Sequence, residues 1–105
     1  MILAKFFYSD KGFCTGFEVA GHAGAGELGH DLVCCAVSAS VQMCCNGITQ
    51  VLRNKAKVEC SDGVVGLRIS SSDCSVQAFL NALEMQLVNI SKKHRKNLKL
   101  IRVEV

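Results

Sequence analysis

The sequence contains no proline and no tryptophan, and aromatic residues make up only 6% of its 105 positions. It also contains no Cys-x-x-C pair, so it lacks the common signatures of a structural zinc site and of a thiol-redox motif. No uninterrupted apolar run approaches the ~20 residues that a membrane-spanning helix needs, and we therefore expect no membrane contact. The first ten residues lack a basic n-region and predict a β-strand rather than a signal peptide.

Apolar residues make up half of the chain and charged residues a fifth, which predicts one folded domain over residues 1–105. The net charge of +3 is too small to require a nucleic-acid partner. Seven cysteines, an odd number without a secretory signal, indicate reduced thiols in a cytoplasmic compartment, most of them small core residues. No cofactor and no metal site is predicted, because the cysteine pairs 34–35 and 44–45 stand too far apart along a helix to bind one ion.

Hydropathy patterning predicts five strands and two helices in the order β-β-α-β-β-α-β. We expect strands at residues 1–8, 13–19, 56–61, 64–70 and 98–105, and helices at 31–54 and 74–95. Asp62-Gly63 predicts a tight hairpin turn, and Asp73 is expected among the residues that cap the second helix. Hairpins joined through helices are typical of an α+β sandwich with a mainly antiparallel sheet and two helices.

Two apolar patterns predict which faces are buried. In the second strand, Phe13, Thr15, Phe17 and Val19 are expected to share one face. In the first helix, the residues that fall within about 100° of arc are Val33, Val37, Val41, Cys44, Ile48, Val51 and Leu52. A second face of this helix has mostly small residues, so we expect it to be covered by another layer of the chain or by a second subunit.

The glycine-rich stretch between the second strand and the first helix is where we expect the chemistry. Residues 20–30 contain four glycines, and His22 stands directly after the strand. Asp31 is the predicted N-cap of the helix, so Cys34 is expected in its first turn, where the helix dipole would lower the pKa of the thiol. An imidazole and a thiol within hydrogen-bond reach are the minimum for thiol catalysis. The alternative is a structural cysteine beside a loop histidine.

Other interpretations compete for these residues. Gly24 to Gly29 match G-x-G-x-x-G, but the chain lacks the parallel βαβ unit and the acidic residue that dinucleotide binding needs. His30 is either a second base or an ordinary polar residue. The basic run 92–96 is either a solvated helix end or a surface for RNA. A non-catalytic ribosome- or RNA-associated binding module is therefore the alternative function.

The segment Gly21-His22-Ala23, followed by Gly29-x-Asp31-Leu32-Val33-Cys34, resembles the signature of the ribosomal-processing cysteine protease Prp family. The resemblance covers essentially the whole chain, including the element order and the closing Asn97-Leu98-Lys99 stretch. It implies a small bacterial, cytoplasmic, homodimeric endopeptidase. Such enzymes remove the short N-terminal extension of large-subunit ribosomal protein twenty-seven and cut after a Phe, with no requirement for direct nucleic-acid contact.

The same resemblance assigns roles to individual residues. Cys34 is the implied nucleophile, and His22 is the implied general base and acid. The backbone N–H groups at the start of the helix, including that of Cys34, are the expected oxyanion donors. Asp31 is expected to cap the helix or, less directly, to orient His22.

The glycines Gly24, Gly26 and Gly29 are expected to form a loop that closes over the substrate. Two positions depart from the family pattern. Cys35 stands where the family usually has Ala, and Leu28 stands where an aromatic residue or His is common. Neither departure touches the implied catalytic pair.

Overall fold

The structure is a computed structural model that describes residues 1–21, 28–70 and 72–105, without the side chains of residues 28–31. In chain order the described elements are β1 (Ile2–Tyr8), β2 (Cys14–Ala20), α1 (Leu28–Asn46), the π-helical segment Gly47–Val51, β3 (Lys57–Ser61), β4 (Val64–Arg68), α2 (Cys74–Lys93) and β5 (Leu98–Glu104). This order confirms the predicted α+β sandwich, and each strand lies within two residues of its expected bounds.

The five strands form one sheet in the order β3-β4-β2-β1-β5. Three neighbouring pairs are antiparallel, and the fourth, β1 with β5, is parallel. The parallel pair arises because α2 carries the chain back along the sheet before β5 begins. The sheet is therefore mainly antiparallel, as predicted, and β3 and β5 are its edge strands.

A β-bulge in β2 changes the predicted alternation of that strand. The register between β1 and β2 shifts by one residue, and Thr15 is the extra residue. Cys14 therefore lies in the core with Phe17, and its side chain is 1% exposed, whereas Phe13 is 41% exposed. The prediction that Phe13, Thr15 and Phe17 share a buried face is wrong at its first two positions.

The core lies between one face of the sheet and the two helices. The predicted stripe of α1 is buried at Val33, Val37, Val41, Cys44 and Ile48. The prediction is wrong for Val51, which is 74% exposed. The chain changes to π-helical winding at Gly47, and the wider turn rotates later residues away from the sheet.

Helix α2 is fixed at its start and along its length. The Asp73 carboxylate accepts a hydrogen bond from the backbone N–H of Ser75 at 2.8 Å, which confirms the predicted cap. Further along, the Tyr8 hydroxyl donates to Glu84 at 2.6 Å, and the Arg102 guanidinium donates to the same carboxylate at 2.9 Å. Burial and the Glu84 contact raise the pKa of Tyr8 well above its usual range, so the hydroxyl stays protonated as a donor.

One segment of the described chain, Leu32–Val51, has the length and the mean hydropathy, 1.5, of a membrane-spanning helix. We expected no such segment because no uninterrupted apolar run is long enough. This segment passes on mean hydropathy although it includes Ser, Gln, Asn and Thr. Its most apolar side packs against the sheet, as in the core helix of a folded domain, and such a helix meets the same criterion.

Candidate active site

The sheet topology brings the predicted catalytic segments to one end of the molecule. The end of β2 lies opposite the start of β1, and the start of β1 pairs with the start of β5. The last residues of α2, which lead into β5, line a common cleft with Leu32 and Val33 of α1. The beginning of α1 and the end of β2 therefore lie at the same end of the sheet.

Gly21, the residue before His22, is held firmly at this end. Its φ is +94°, and its N–H donates to the carbonyl of Gly63 in the β3–β4 turn at 2.9 Å. A Cβ at this position would lie 2.5 Å from the carbonyl oxygen of Met1. Only glycine fits both the left-handed conformation and the close approach of β1. Gly21 belongs to the Gly-His-Ala motif, but the sequence pattern alone gives no signal for this contact with β1.

We expect Gly21→Ala to lower stability and cleavage activity together, because the new methyl group must displace β1 or the β2 end. A strained left-handed residue alone costs about 1–2 kcal/mol, and the clash adds to it. Gly12→Ala is the matched control, since Gly12 has a φ of +85° but nothing within 4 Å of the added Cβ. Chemical denaturation measures both variants. An equal loss of stability in the two would contradict a special role for the close approach at Gly21.

Cys34 lies on a defined flank of α1. Val33 and Val37 point into the core, and Leu32 and Ala36 line the cleft with α2. At about 100° per residue, Cys34 lies on the opposite side from that cleft, over the part of the sheet away from α2. Its side chain is half-buried and packs against the core. One side of the Cys34 side chain is thus packed against the core, and the other side is accessible.

The predicted start of the first helix is wrong by three residues. Helix α1 begins at Leu28, so Asp31 lies inside the helix and not at its N-cap, and Cys34 is the seventh helical residue. An N–H at that position bonds within the helix to the carbonyl four residues earlier. The expectation that Cys34 lies in the first turn, with its own N–H as an oxyanion donor, is therefore not met.

The remaining predicted site residues fall into two groups. His22, Gly24 and Gly26 lie outside the described residues, so the catalytic pair and the closing loop stay predictions. Gly29 belongs to the first turn of α1 and not to the preceding loop. The side chain of Asp31 is not among those that the structure describes, so its effect on the orientation of His22 also stays a prediction.

The expectation that most of the seven cysteines are core residues is wrong. Cys14 and Cys44 are buried, Cys34 and Cys45 are half-buried, and Cys35, Cys60 and Cys74 are exposed. Burial raises the pKa of the Cys44 thiol to about 12, and it also raises the pKa of Cys14 and Cys45. These three groups therefore stay protonated near neutral pH and are poor nucleophiles. Cys35 is exposed and points about 100° away from Cys34 around the helix.

A cleft between the two helices lies on the other side of α1. Leu32, Ala36, Ile90 and His94 are among the residues that line its volume of about 450 Å³, and Cys34 does not reach it. Within the described ranges, no three His, Cys, Asp or Glu side chains are grouped to hold a metal ion. The cleft is thus separate from the flank that carries the thiol.

Comparison with known proteins identifies the family. A profile of the family described as cysteine protease Prp matches residues 1–99. The ribosomal processing cysteine protease Prp of Staphylococcus aureus is 28% identical over 103 residues, which cover 95% of this chain and 97% of that protein.

Solved structures agree over the whole fold. SMU.848 from Streptococcus mutans has a TM-score of 0.90 at 25% identity. The match covers all of this chain and 96% of the SMU.848 chain. S. aureus Prp in complex with a substrate peptide has a TM-score of 0.92 at 25% identity. The same protease with a covalently linked product peptide has a TM-score of 0.88 at 26% identity. Both S. aureus structures match 98% of this chain over their full length.

A protease family excludes the alternative of a non-catalytic binding module as the main function. Three observations support the same family: the half-buried Cys34 thiol on α1, the anchored glycine before His22 and the match over residues 1–99. The chain belongs to the cysteine protease Prp family and is a ribosomal-processing cysteine protease.

Proposed function

We propose that this enzyme is an endopeptidase that removes the N-terminal extension of large-subunit ribosomal protein twenty-seven during ribosome maturation. The observation that carries the proposal is the whole-chain likeness to S. aureus Prp in complex with a covalently linked product peptide. A covalent link between a cysteine protease and its product is what acyl transfer through a thiol would leave. Cys34 and Cys45 are the half-buried thiols on this flank of α1. Burial raises the pKa of Cys45, and Cys34 lies nearer the beginning of the helix, so we assign the nucleophile to Cys34.

The proposed mechanism uses Cys34 and His22. The imidazole of His22 accepts the thiol proton, and the Cys34 sulfur attacks the scissile carbonyl to form a tetrahedral intermediate. The C–N bond breaks, His22 gives the proton to the leaving amine, and a thioester remains on Cys34. Water then gives a proton to His22 and attacks the thioester carbonyl. The C–S bond breaks, the product leaves as its carboxylic acid, and His22 returns the proton to the Cys34 sulfur. The anchored backbone of Gly21 supports this role, because it limits where the next residue can lie.

The direct test is cleavage of a synthetic peptide that spans the extended N-terminus of the ribosomal protein, under reducing conditions, with mass spectrometry of the products. We expect a single cut after a Phe of the extension. A matched peptide with Asp in place of that Phe should be cut at least about 100-fold more slowly, because a charged side chain is costly to desolvate in an apolar site. Failure to cut the first peptide, or equal cutting of both, would contradict the proposed substrate.

We also propose that the enzyme is a cytoplasmic homodimer that buries the outer side of α1. Leu32 and Met43 on α1 are each 66% exposed, and Met85 on α2 is 67% exposed. Exposed large apolar residues on adjacent helices are typical of an interaction surface. A cytoplasmic, reducing location agrees with the seven thiols.

Met43→Lys is expected to shift the protein from dimer to monomer at micromolar concentration, because the ammonium group would be buried in the interface. Val58→Lys is the control, since Val58 is also apolar and 46% exposed but lies on β3. Sedimentation velocity distinguishes the two species. A wild-type protein that sediments as a monomer would overturn the dimer, and a dimer that survives Met43→Lys would overturn this interface.

A further inference from the structure

Positive charge is concentrated at the C-terminal end of the chain. Residues 92–105 contain six of the twelve Lys and Arg residues and one of the nine Asp and Glu residues. Residues 1–91 therefore carry six basic and eight acidic residues, and their net charge is negative. The overall charge of +3 conceals this separation, which is large enough to orient the molecule toward a polyanion.

Five exposed cations form a basic patch where α2 passes into β5. They are Lys92, Lys93, Arg95, Lys96 and Lys99. Three of them, Lys92, Arg95 and Lys99, line one shallow depression of about 340 Å³ on the surface. These three cations come from the helix end, the connection and the edge strand and share one surface, whereas Lys93 lines the neighbouring cleft between the helices.

Ordinary structural roles explain only part of this patch. Lys92 and Lys93 lie in the last turn of α2, where cations favour the helix dipole. Arg95 and Lys96 lie beyond the helix, and Lys99 stands on the edge strand, where one charge is enough to discourage edge pairing. In the part of the chain that the structure describes, the ion pairs join Arg102 to Glu84 and Lys57 to Glu59 and leave the basic patch without a counterion.

We infer that the basic patch binds the phosphate backbone of RNA. Residues 92–105 contain no Phe, Tyr or Trp, and the single imidazole of His94 is outnumbered by the cations, so the recognition is mainly of backbone charge and not of base sequence. The choice of RNA among polyanions rests on the ribosomal-processing function, because the protein substrate of such an enzyme is made for assembly with RNA. The enzyme would then contact both the protein substrate, through Cys34, and the RNA with which that substrate assembles, through the basic patch.

The position of the basic patch is compatible with simultaneous catalysis. The patch lies on the side of the molecule formed by α2 and the edge strand β5. Cys34 lies on the flank of α1 that faces away from α2. RNA bound at the patch therefore leaves the thiol accessible to a peptide.

The test measures binding of the full chain to a fluorescent RNA hairpin of arbitrary sequence by anisotropy. We expect the affinity to fall by about 100-fold between about 50 and 200 mM salt, as contact with three to five phosphates requires. The triple variant Lys92→Gln, Arg95→Gln and Lys99→Gln should bind at least about 10-fold more weakly. The triple variant Lys11→Gln, Lys55→Gln and Lys57→Gln removes the same charge elsewhere and should bind within about 2-fold of wild type.

Three results would overturn the inference. They are equal losses in the two triple variants, RNA binding that is absent or insensitive to salt, and tighter binding of polyglutamate or of phosphatidylserine vesicles than of the RNA hairpin. Cleavage of the synthetic peptide is measured in parallel and needs no RNA. Intact cleavage with failed RNA binding refutes the basic patch alone, whereas RNA binding without cleavage refutes the proposed protease substrate alone.

Discussion

Replacement of Cys34 by alanine is expected to lower the rate of peptide cleavage by at least about 10⁴-fold with little change in melting temperature. The methyl group of alanine cannot attack a carbonyl, so the covalent route is lost entirely. The fold should tolerate the change because the side chain is small and only half-buried. Initial rates from mass spectrometry and a thermal unfolding curve measure the two effects separately.

Cys35→Ala is the control for this experiment, because it removes a thiol from the next residue of the same helix. Cys35 is exposed, so its replacement by alanine disturbs no core contact. We expect its cleavage rate to stay within about 2-fold of wild type, in the range of ordinary surface substitutions. If Cys34→Ala still cuts at the wild-type rate, then Cys34 is not the nucleophile.

His22→Ala is expected to lower the cleavage rate by about 10²- to 10⁴-fold, which is the usual contribution of general acid–base catalysis. The imidazole supplies both the base for the thiol and the acid for the leaving amine, so both halves of the reaction slow down. The variant should also lose the pH dependence that titration of this imidazole gives to the wild-type rate. Rate measurements across the pH range of histidine titration test this point.

His30→Ala provides the contrasting variant, because His30 was the other candidate base in the sequence. A near-normal rate in His30→Ala together with a large loss in His22→Ala is the expected pair of results. The reverse pair would assign the base to His30. A large loss in both, with unchanged melting temperatures, would require a cooperative role for the two imidazoles.

Local signals were sufficient to predict most of the secondary structure. The Asp62-Gly63 turn, the Asp73 cap and the apolar stripe of the first helix each depend on a few neighbouring residues. The turn and the cap were confirmed, and the stripe was confirmed from Val33 to Ile48. Turn chemistry, capping and periodicity act over one or two turns of chain, so they can be read without knowledge of distant contacts.

The errors occurred where a distant or weak constraint decides the conformation. Gly29 has low helix propensity, so the first turn of α1 has no clear signal in the sequence. At Gly47 a Cβ would meet the ring of Phe79 at 2.3 Å, so contact with α2 accompanies the change to π-helical winding. The bulge at Thr15 depends on how β2 pairs with β1. Pairing and interhelical contacts are properties of the assembled fold.

The sequence by itself determined the class of fold, the order of the elements and the motif that joins His22 to Cys34 through a fixed spacing. The tertiary structure decided that Cys34 lies in the second turn of α1 on the flank away from α2, and that Gly21 is locked between Met1 and Gly63. It also gathered the cations of α2, the connection and β5 into one surface. The physical reason is that spacing fixes the direction of a side chain only relative to its own helix or strand. Exposure, close approach and clustering depend on which other elements pack beside it.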